Sequence, residues 1–426
     1  MKTTNKCKEL KERIYNEIVN DISLSDDERK IHTDNLINCS AGDEEAKIYV
    51  KNKIASKMKD DELSEEESLH IINEIYSEYW GLGIIDKYDV PEIDEIMVLG
   101  TKIIAFKGKE IIKIDEKLEN FDETIAIMRR CLEFDKSKDL NAKNAIVEAK
   151  RKDGARITAV IPPTAKIPYL NIRKFDSFIP TTENMLKSKT INNEMMNQLK
   201  ILVQGRANIV VIGDMGSGKT TFIKWLLQFI QDNLLVGILE TRFELHPEKL
   251  YPDKLWVQLE ERLPDYPISD LFTIMLRQNV DIIIVGECRS YEVNELIKAM
   301  SRGHSGSISS AHSTDAIGMI DDFADMVLES GKDVDLQALK YRIAKAVDIV
   351  VKFRKLPNRQ KTCAGIYELI EDPLNLSYKS IPLFEFEIDE DNANDIGIHV
   401  KKNNISEKLK YKLNSYGVKY SQMHDI

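Results

Sequence analysis

Nowhere does this 426-residue chain carry an apolar run near the ~18–20 residues that cross a bilayer. The longest run, residues 282–285 with its neighbours, has the length of a strand. The opening residues, Met1-Lys2-Thr3-Thr4-Asn5-Lys6-Cys7, lack the apolar stretch of a secretory signal. The expectation is a protein on the cytoplasmic side, held at a membrane only through a partner. Cysteine is sparse: Cys7, Cys39, Cys131, Cys288 and Cys363 stand singly, with no C-x-x-C pair. That argues against a disulfide framework or zinc ribbon and predicts reduced thiols. Positive charge is in deficit, with 60 Lys and Arg against 71 Asp and Glu and a net charge of -11. Broad non-specific nucleic-acid binding depends on neutralising phosphates, so it is disfavoured, although a local basic channel is not. Repeats and low-complexity tracts are missing. What is present is the ordinary globular mixture, 42% hydrophobic and 31% charged, at a length suited to two or three domains.

The first sixty residues are highly charged and free of strand-like runs. Ser64-Glu65-Glu66-Glu67 then forms a capping box, followed by Leu69, Ile72, Tyr76 and Tyr79 at helical spacing. Residues 1–80 read as a helical extension whose stripe packs against the next domain, a partner-binding helix being the alternative. From Gly81 the texture changes to short strands, at 93–98, 102–106 and 110–114, separated by glycine turns. A helix near 124–134 and strands near 155–161 and 171–175 complete an α+β domain over 81–180. Pro162, Pro163, Pro168 and Pro180 read as a linker zone at its exit. Over 181–426, strands and helices alternate in the manner of a doubly wound α/β sheet, with strands returning in the tail.

At the head of that third unit stands Gly213-Asp214-Met215-Gly216-Ser217-Gly218-Lys219-Thr220. It follows a short apolar strand, Ile-Val-Val-Ile at 209–212, and precedes an apparent amphipathic helix at 221–231. This is the setting a phosphate-binding loop requires. Its glycines let backbone N–H groups turn inward around phosphate oxygens, and the helix N-terminus adds positive potential. Lys219 can neutralise the β- and γ-phosphates, and the Thr220 hydroxyl can bind Mg²⁺. Gly213, Met215, Gly216, Ser217, Gly218, Lys219, Thr220 and Thr221 are therefore the expected nucleotide-binding residues.

Triphosphate hydrolysis needs a second acidic centre beside the loop. Asp281-Ile-Ile-Ile-Val-Gly-Glu287 supplies an apolar strand ending in a carboxylate, where α/β sheets place ligands. Gly286 occupies the place where many phosphate-loop proteins carry Asp, so Glu287 must carry the charge and hold the metal with Thr220. Glu240-Thr-Arg-Phe-Glu244 closes another strand; either acid could polarise water, or both could be solvated loop acids. Gly303-His304-Ser305-Gly306 and Ser310-Ala311-His312 surround a small-residue strand, and His312 in particular could sense a γ-phosphate. Arg262, Arg277 and Arg289 lie in the same unit, while Arg156 and Arg173 come from the preceding one. As a set they suggest phosphate contacts completed across a domain boundary.

Together these elements resemble the secretion-ATPase superfamily of type II and type IV systems, within it most the CpaF-type tight-adherence pilus ATPases. The phosphate loop, the acidic box 240–244, the motif Val285-Gly-Glu-Cys-Arg289 and the histidine box 303–312 all take part. So do Asp94-Glu-Ile-Met-Val98, residues 153–163 and Ile172-Arg-Lys-Phe175, so the likeness covers about residues 81–426. Two departures stand out: Thr241 and Arg242 replace the acid usual after Glu240, moving the catalytic expectation towards Glu244, and Leu99 replaces an Asn. The resemblance implies a RecA-like phosphate-loop domain preceded by an α+β domain that closes over ATP and Mg²⁺. It also implies a homohexamer working on an inner-membrane platform protein at the inner face of the cell membrane. Two rivals remain, a nucleic-acid translocase and a nucleotide-gated scaffold that no longer hydrolyses.

Overall fold

The structure, a computed structural model, describes residues 2–58, 64–107, 110–174, 180–290, 292–329, 331, 334–388 and 397–418, with side chains from residue 9 onward. The chain divides into two compact units, Met1–Phe178 and Ile179–Ile426.

The first unit opens with four helices, α1 (Lys2–Val19), α2 (Asp26–Asn38), α3 (Glu44–Lys57) and α4 (Glu65–Tyr79). Reciprocal capping boxes start two of them, Ser25 with Glu28 and Ser64 with Glu67, satisfying orphan N–H groups at each helix start. The stripe on α4 does not turn to the next domain. Ile75 and Tyr76 close a core of the helices' own, with Ile14, Ile18, Val50, Ile54 and Trp80, and Leu69 is 61% exposed. Tertiary partners select which part of the apolar arc is covered: Ile71 and Ile72 pack partly against this core, and Leu69 is left outside it.

A six-stranded sheet follows, built from β1 (Glu95–Leu99), β2 (Lys102–Lys107), β3 (Glu110–Lys117), β4 (Ile146–Lys150), β5 (Arg156–Val160) and β6 (Tyr169–Arg173), with α5 (Phe121–Leu132) between β3 and β4. Its order is β3-β2-β1-β6-β5-β4, and all its pairs are antiparallel. On β1, β2, β4, β5 and β6 every second residue, such as Ile96, Val98, Ile157, Ala159, Leu170 and Ile172, is buried with Ile127, Met128 and Cys131 of α5. Pro162, Pro163 and Pro168 sit in the β5–β6 connection, inside the sheet's wiring rather than at an exit; only Pro180 lies beyond it. Phe175, part of the motif at the end of β6, lies outside the described residues.

The second unit begins with α6 (Thr182–Lys187) and α7 (Asn193–Gln204) and then alternates: β7 (Ile209–Gly213), α8 (Lys219–Leu226), β8 (Leu235–Glu240), α9 (Pro247–Leu250), β9 (Leu255–Glu260). Next come α10 (Ile268–Leu276), β10 (Ile282–Val285), α11 (Glu292–Ser301), β11 (Ile308–Ala311), α12 (Ala316–Glu329) and α13 (Leu336–Ala346). It closes with β12 (Ile349–Lys355), β13 (Lys361–Asp372), β14 (Ser377–Ile388), β15 (Gly397–Lys401) and α14 (Glu407–Ser415). The sheet order is β15-β14-β13-β12-β7-β11-β10-β8-β9. Strands β9 to β12 in that order pair in parallel, and β13, β14 and β15 extend the sheet antiparallel.

The period of two is visible on β7. Ile209 and Val211 join one apolar cluster with Phe222, Trp225 and Ile284, while Val210 and Ile212 join another with Phe272, Leu296 and Phe323. Helices thus cover both faces, as a parallel sheet demands. The helix after the phosphate loop differs from the amphipathic 221–231 expected. It starts at Lys219, ends at Leu226, and buries Phe222, Ile223, Lys224, Trp225 and Leu226. It lies inside the unit, so it has no solvent face to advertise.

Candidate nucleotide site

Four strand ends on one edge of the parallel sheet carry the chemistry, where such sheets place their ligands. β7 runs directly into the loop. Gly213, Gly216 and Gly218 have φ of +142°, +71° and +105°, a region closed to most side chains. A Cβ on Gly213 would lie 2.2 Å from the Phe353 carbonyl oxygen of the neighbouring β12, so that position tolerates no side chain. Gly218 precedes α8, placing Lys219 and Thr220 in its first turn. The Met215 side chain stands out at the loop's tip, 85% exposed. Ser217 is wholly buried, and its hydroxyl has no hydrogen-bond partner.

Lys219 is buried, and its ammonium donates to the carbonyls of Gly213 at 2.8 Å and Asp214 at 3.1 Å. It also lies 3.4 Å from His312 Nδ1, beyond the end of β11. The other ring nitrogen, Nε2, is 2.9 Å from Glu287 Oε1, close but out of line for a hydrogen bond, so this oxygen has none. Arg289 pairs with the second Glu287 oxygen. Lysine, histidine and glutamate therefore stand in one line across the strand ends. Burial pushes the Lys219 amine below the ordinary lysine value, while the Glu287 charge pulls it back up. The hydrogen bond to Glu287 holds Arg289 above its ordinary value.

The small residues of β11 explain how Glu287 is held. Ser310 Oγ donates to the Gly286 carbonyl at 2.7 Å, and the Cys288 N–H donates to the Ser310 carbonyl at 2.7 Å. Cys288 Sγ also meets Ser309 Oγ at 3.1 Å. Asn208, ahead of β7, accepts from the N–H groups of Gly306 and Ser307 and donates to the carbonyls of Met300 and Ala346. Sequence reasoning passed over both Asn208 and Ser310. The polar residue beside a fully apolar strand was the available signal for the first, and the serine pair within a buried strand for the second.

Glu240 closes β8 and is 3% exposed. Its Oε1 accepts from the N–H groups of Glu244 and Leu245, each at 3.0 Å, and Oε2 has no partner. Burial pushes its carboxyl up to about 7, against the two N–H groups that favour the charge. A Cβ on Gly286 would come within 3.0 Å of Glu240 Cγ. The glycine in place of the usual Asp thus makes room for the Glu240 side chain. Glu244, half-buried, is held by its own N–H on Glu240, and its charge acts on both Glu240 and Arg289.

The remaining residues separate. His304 is a structural pin, its Nδ1 3.0 Å from the Val280 carbonyl oxygen. Arg262 and Arg277 are exposed. Arg156 and Arg173 face one another as Cα partners on β5 and β6 of the first unit. Thr220 and Thr221 are half-buried at the start of α8. Among the described residues, no cluster of three or more His, Cys, Asp or Glu could hold a metal ion. The unpartnered Ser217 hydroxyl, the unbonded Glu287 oxygen and the open glycine cradle fit a nucleotide phosphate and its cation.

The model of a family described as type II/IV secretion system protein matches residues 114–395. The chain belongs to that family. Among curated relatives, the type IV secretion system protein VirB11 of Bartonella quintana is 25% identical over 58% of this chain and 80% of its own length. The conjugal transfer protein TrbB of Rhizobium radiobacter is 27% identical over 47% of this chain and 61% of its own. For two other relatives the chain spans less than half of their own length, 40% in one and 34% in the other. Among solved structures, the Legionella pneumophila ATPase DotB aligns over 68% of this chain and 80% of that one, at 16% identity and a TM-score of 0.49. The chain thus combines an α+β domain with a RecA-like phosphate-loop domain.

Proposed function

We propose that this type II/IV secretion family member is an ATP-hydrolysing motor. The observation that carries the reading is the line Lys219–His312–Glu287, which brings a cation, a ring and an anion together at the mouth of the glycine cradle. The inward amides of 213–220 and the Lys219 ammonium hold the phosphates once nucleotide displaces the amine from its two carbonyls. Thr220 and Glu287 would hold Mg²⁺, whose charge would offset that of the phosphate oxygens. Glu240 is tied to the loop behind it, which leaves Glu244, or Glu287 itself, to orient the attacking water. His312 lies between Lys219 and Glu287, so a change at the phosphates alters its two contacts together. Arg289 fixes Glu287, and Arg156 and Arg173 are assigned to the charge that develops on the phosphates.

The finer reading follows the resemblance: a CpaF-type homohexamer that works on an inner-membrane platform protein at the cytoplasmic face and drives pilus assembly or secretion. Among the described residues no helix is long and apolar enough to cross a membrane, which fits attachment through such a partner. Phosphate release from ATP by the purified protein, with and without DNA, tests the reading. Lys219→Ala should abolish turnover and keep the fold. Full turnover in that variant overturns the assignment, binding without release points to a scaffold, and stimulation by DNA points to a translocase.

A further inference from the structure

The β12–β13 turn forms one wall of the phosphate loop. β12 pairs with β7 as far as Phe353 opposite Gly213, so the chain leaving β12 passes the loop on its way into β13. At the return stands Lys361, the first residue of β13. Its aliphatic stem lies over Gly218: a Cβ there would be 3.2 Å from Lys361 Cδ, 3.7 Å from Cβ and 3.9 Å from Cγ. With Cδ that close, the ammonium is two bonds from a stem that packs on the loop.

The backbone that positions this stem is firmly tied. The Thr190 hydroxyl donates to the Lys361 carbonyl at 3.1 Å, and the Cys363 N–H donates to the Thr190 carbonyl at 2.9 Å. Gln360 Nε2 donates to the Ser188 carbonyl at 3.2 Å. The turn itself is closed by Leu356 N–H to the Gln360 carbonyl and Arg359 N–H to the Leu356 carbonyl. Lys361 is exposed, yet its long side chain stands on a fixed base and is stacked along the glycine that opens α8, where a ligand to a phosphate at the mouth of the cradle would stand.

We propose that Lys361 is a further nucleotide-binding residue, whose ammonium contacts the phosphates of the bound nucleoside di- or triphosphate over Gly218. This rests on the nucleotide reading above. Lys219 is anchored to Gly213 and Asp214, at the β7 end of the loop, and Lys361 covers the α8 end. The two lysines flank the cradle. An ammonium of this kind adds a charge-assisted bond that holds nucleotide without entering the line Lys219–His312–Glu287.

Three variants of the full chain separate charge from packing. Lys361→Met keeps the stem on Gly218 and removes the ammonium, Lys361→Ala removes both, and Lys361→Arg restores a cation. Titration with ADP and with ATP should show binding weakened about five- to twentyfold in Lys361→Met and Lys361→Ala, with most of it recovered in Lys361→Arg. In turnover the loss should fall on KM, with kcat within about twofold, as for binding energy shared by ground and transition states. Wild-type affinity in Lys361→Met overturns the proposal: if Lys361→Ala alone is weak, the stem merely packs on the loop. Failure of the wild-type protein to bind either nucleotide would sink the nucleotide reading instead, a distinct outcome.

Discussion

The Glu240 carboxyl makes a quantitative prediction about stability and pH. It is buried, one oxygen has no partner, and its place in the fold raises it from the ordinary 4.5 to about 7. Because the folded value lies above the unfolded one, the native state binds the proton more tightly. This group's stabilising contribution is complete below pH 4.5 and is lost as pH rises through 7. At about 1.4 kcal/mol per decade, the gap between 4.5 and about 7 amounts to about 3 kcal/mol. Glu240→Gln keeps an Oε1 to accept from Glu244 and Leu245 and cannot ionise. Urea unfolding of wild type and Glu240→Gln, followed by tryptophan fluorescence at pH 5 and pH 8, isolates the effect, since other titrating groups cancel between the two proteins. Part of the gap is already lost at pH 5, so the stability difference should move by about 2–3 kcal/mol in favour of Glu240→Gln between the two pH values. Parallel stability curves would refute the argument and show the carboxylate to be solvated after all.

Other substitutions read out the supports of the site. Gly286→Ala places a methyl 3.0 Å from Glu240 Cγ and should cost about 1–3 kcal/mol in chemical denaturation; a neutral result would show that Glu240 yields freely. Asn208→Ala removes four buried hydrogen bonds and strands their partners, so a loss of about 2–4 kcal/mol is expected, and one below about 1 kcal/mol would contradict it. In the first unit, the Arg151 side chain, 4% exposed, pairs with Asp89 and Asp153 at 2.7 Å each. Arg151→Ala should destabilise that unit by about 3–5 kcal/mol, seen as earlier protease cleavage within it; unchanged cleavage would mean that the two aspartates find water instead.

Much of this was legible before the fold. The phosphate loop, its entering strand and the carboxylate of Glu287 follow from short apolar runs that end in chemistry, and strand ends are where a parallel sheet collects its ligands. The pairing of His312 with Glu287 could be suspected from their placement on neighbouring strands, but its distance could not. Glu240 shows the limit. Its carboxylate reads like any acid at a strand end, and only the side-chain volume absent at Gly286 reveals that the residue is turned inward to fasten a loop. The stripe on α4 failed for a related reason: period tells which face is apolar, and the neighbours decide how far along it is covered. Strand β4 alternates cleanly, with Val147 and Ala149 buried, but its outer face mixes Ile146 with Glu148 and Lys150, which blurs the period in so short a run. Helix α13, started by the side chain of Asp335, carried a readable signal in Leu339 and Ile343.

The serine at position 310 has a mechanical consequence. Stitched to Gly286 from one side and to Cys288 from the other, β11 and the segment bearing Glu287 cannot shift independently. The strand that leads to His312 is thereby joined to both residues flanking Glu287. Replacing that hydroxyl by hydrogen would remove the tie to Gly286 and keep the backbone tie to Cys288.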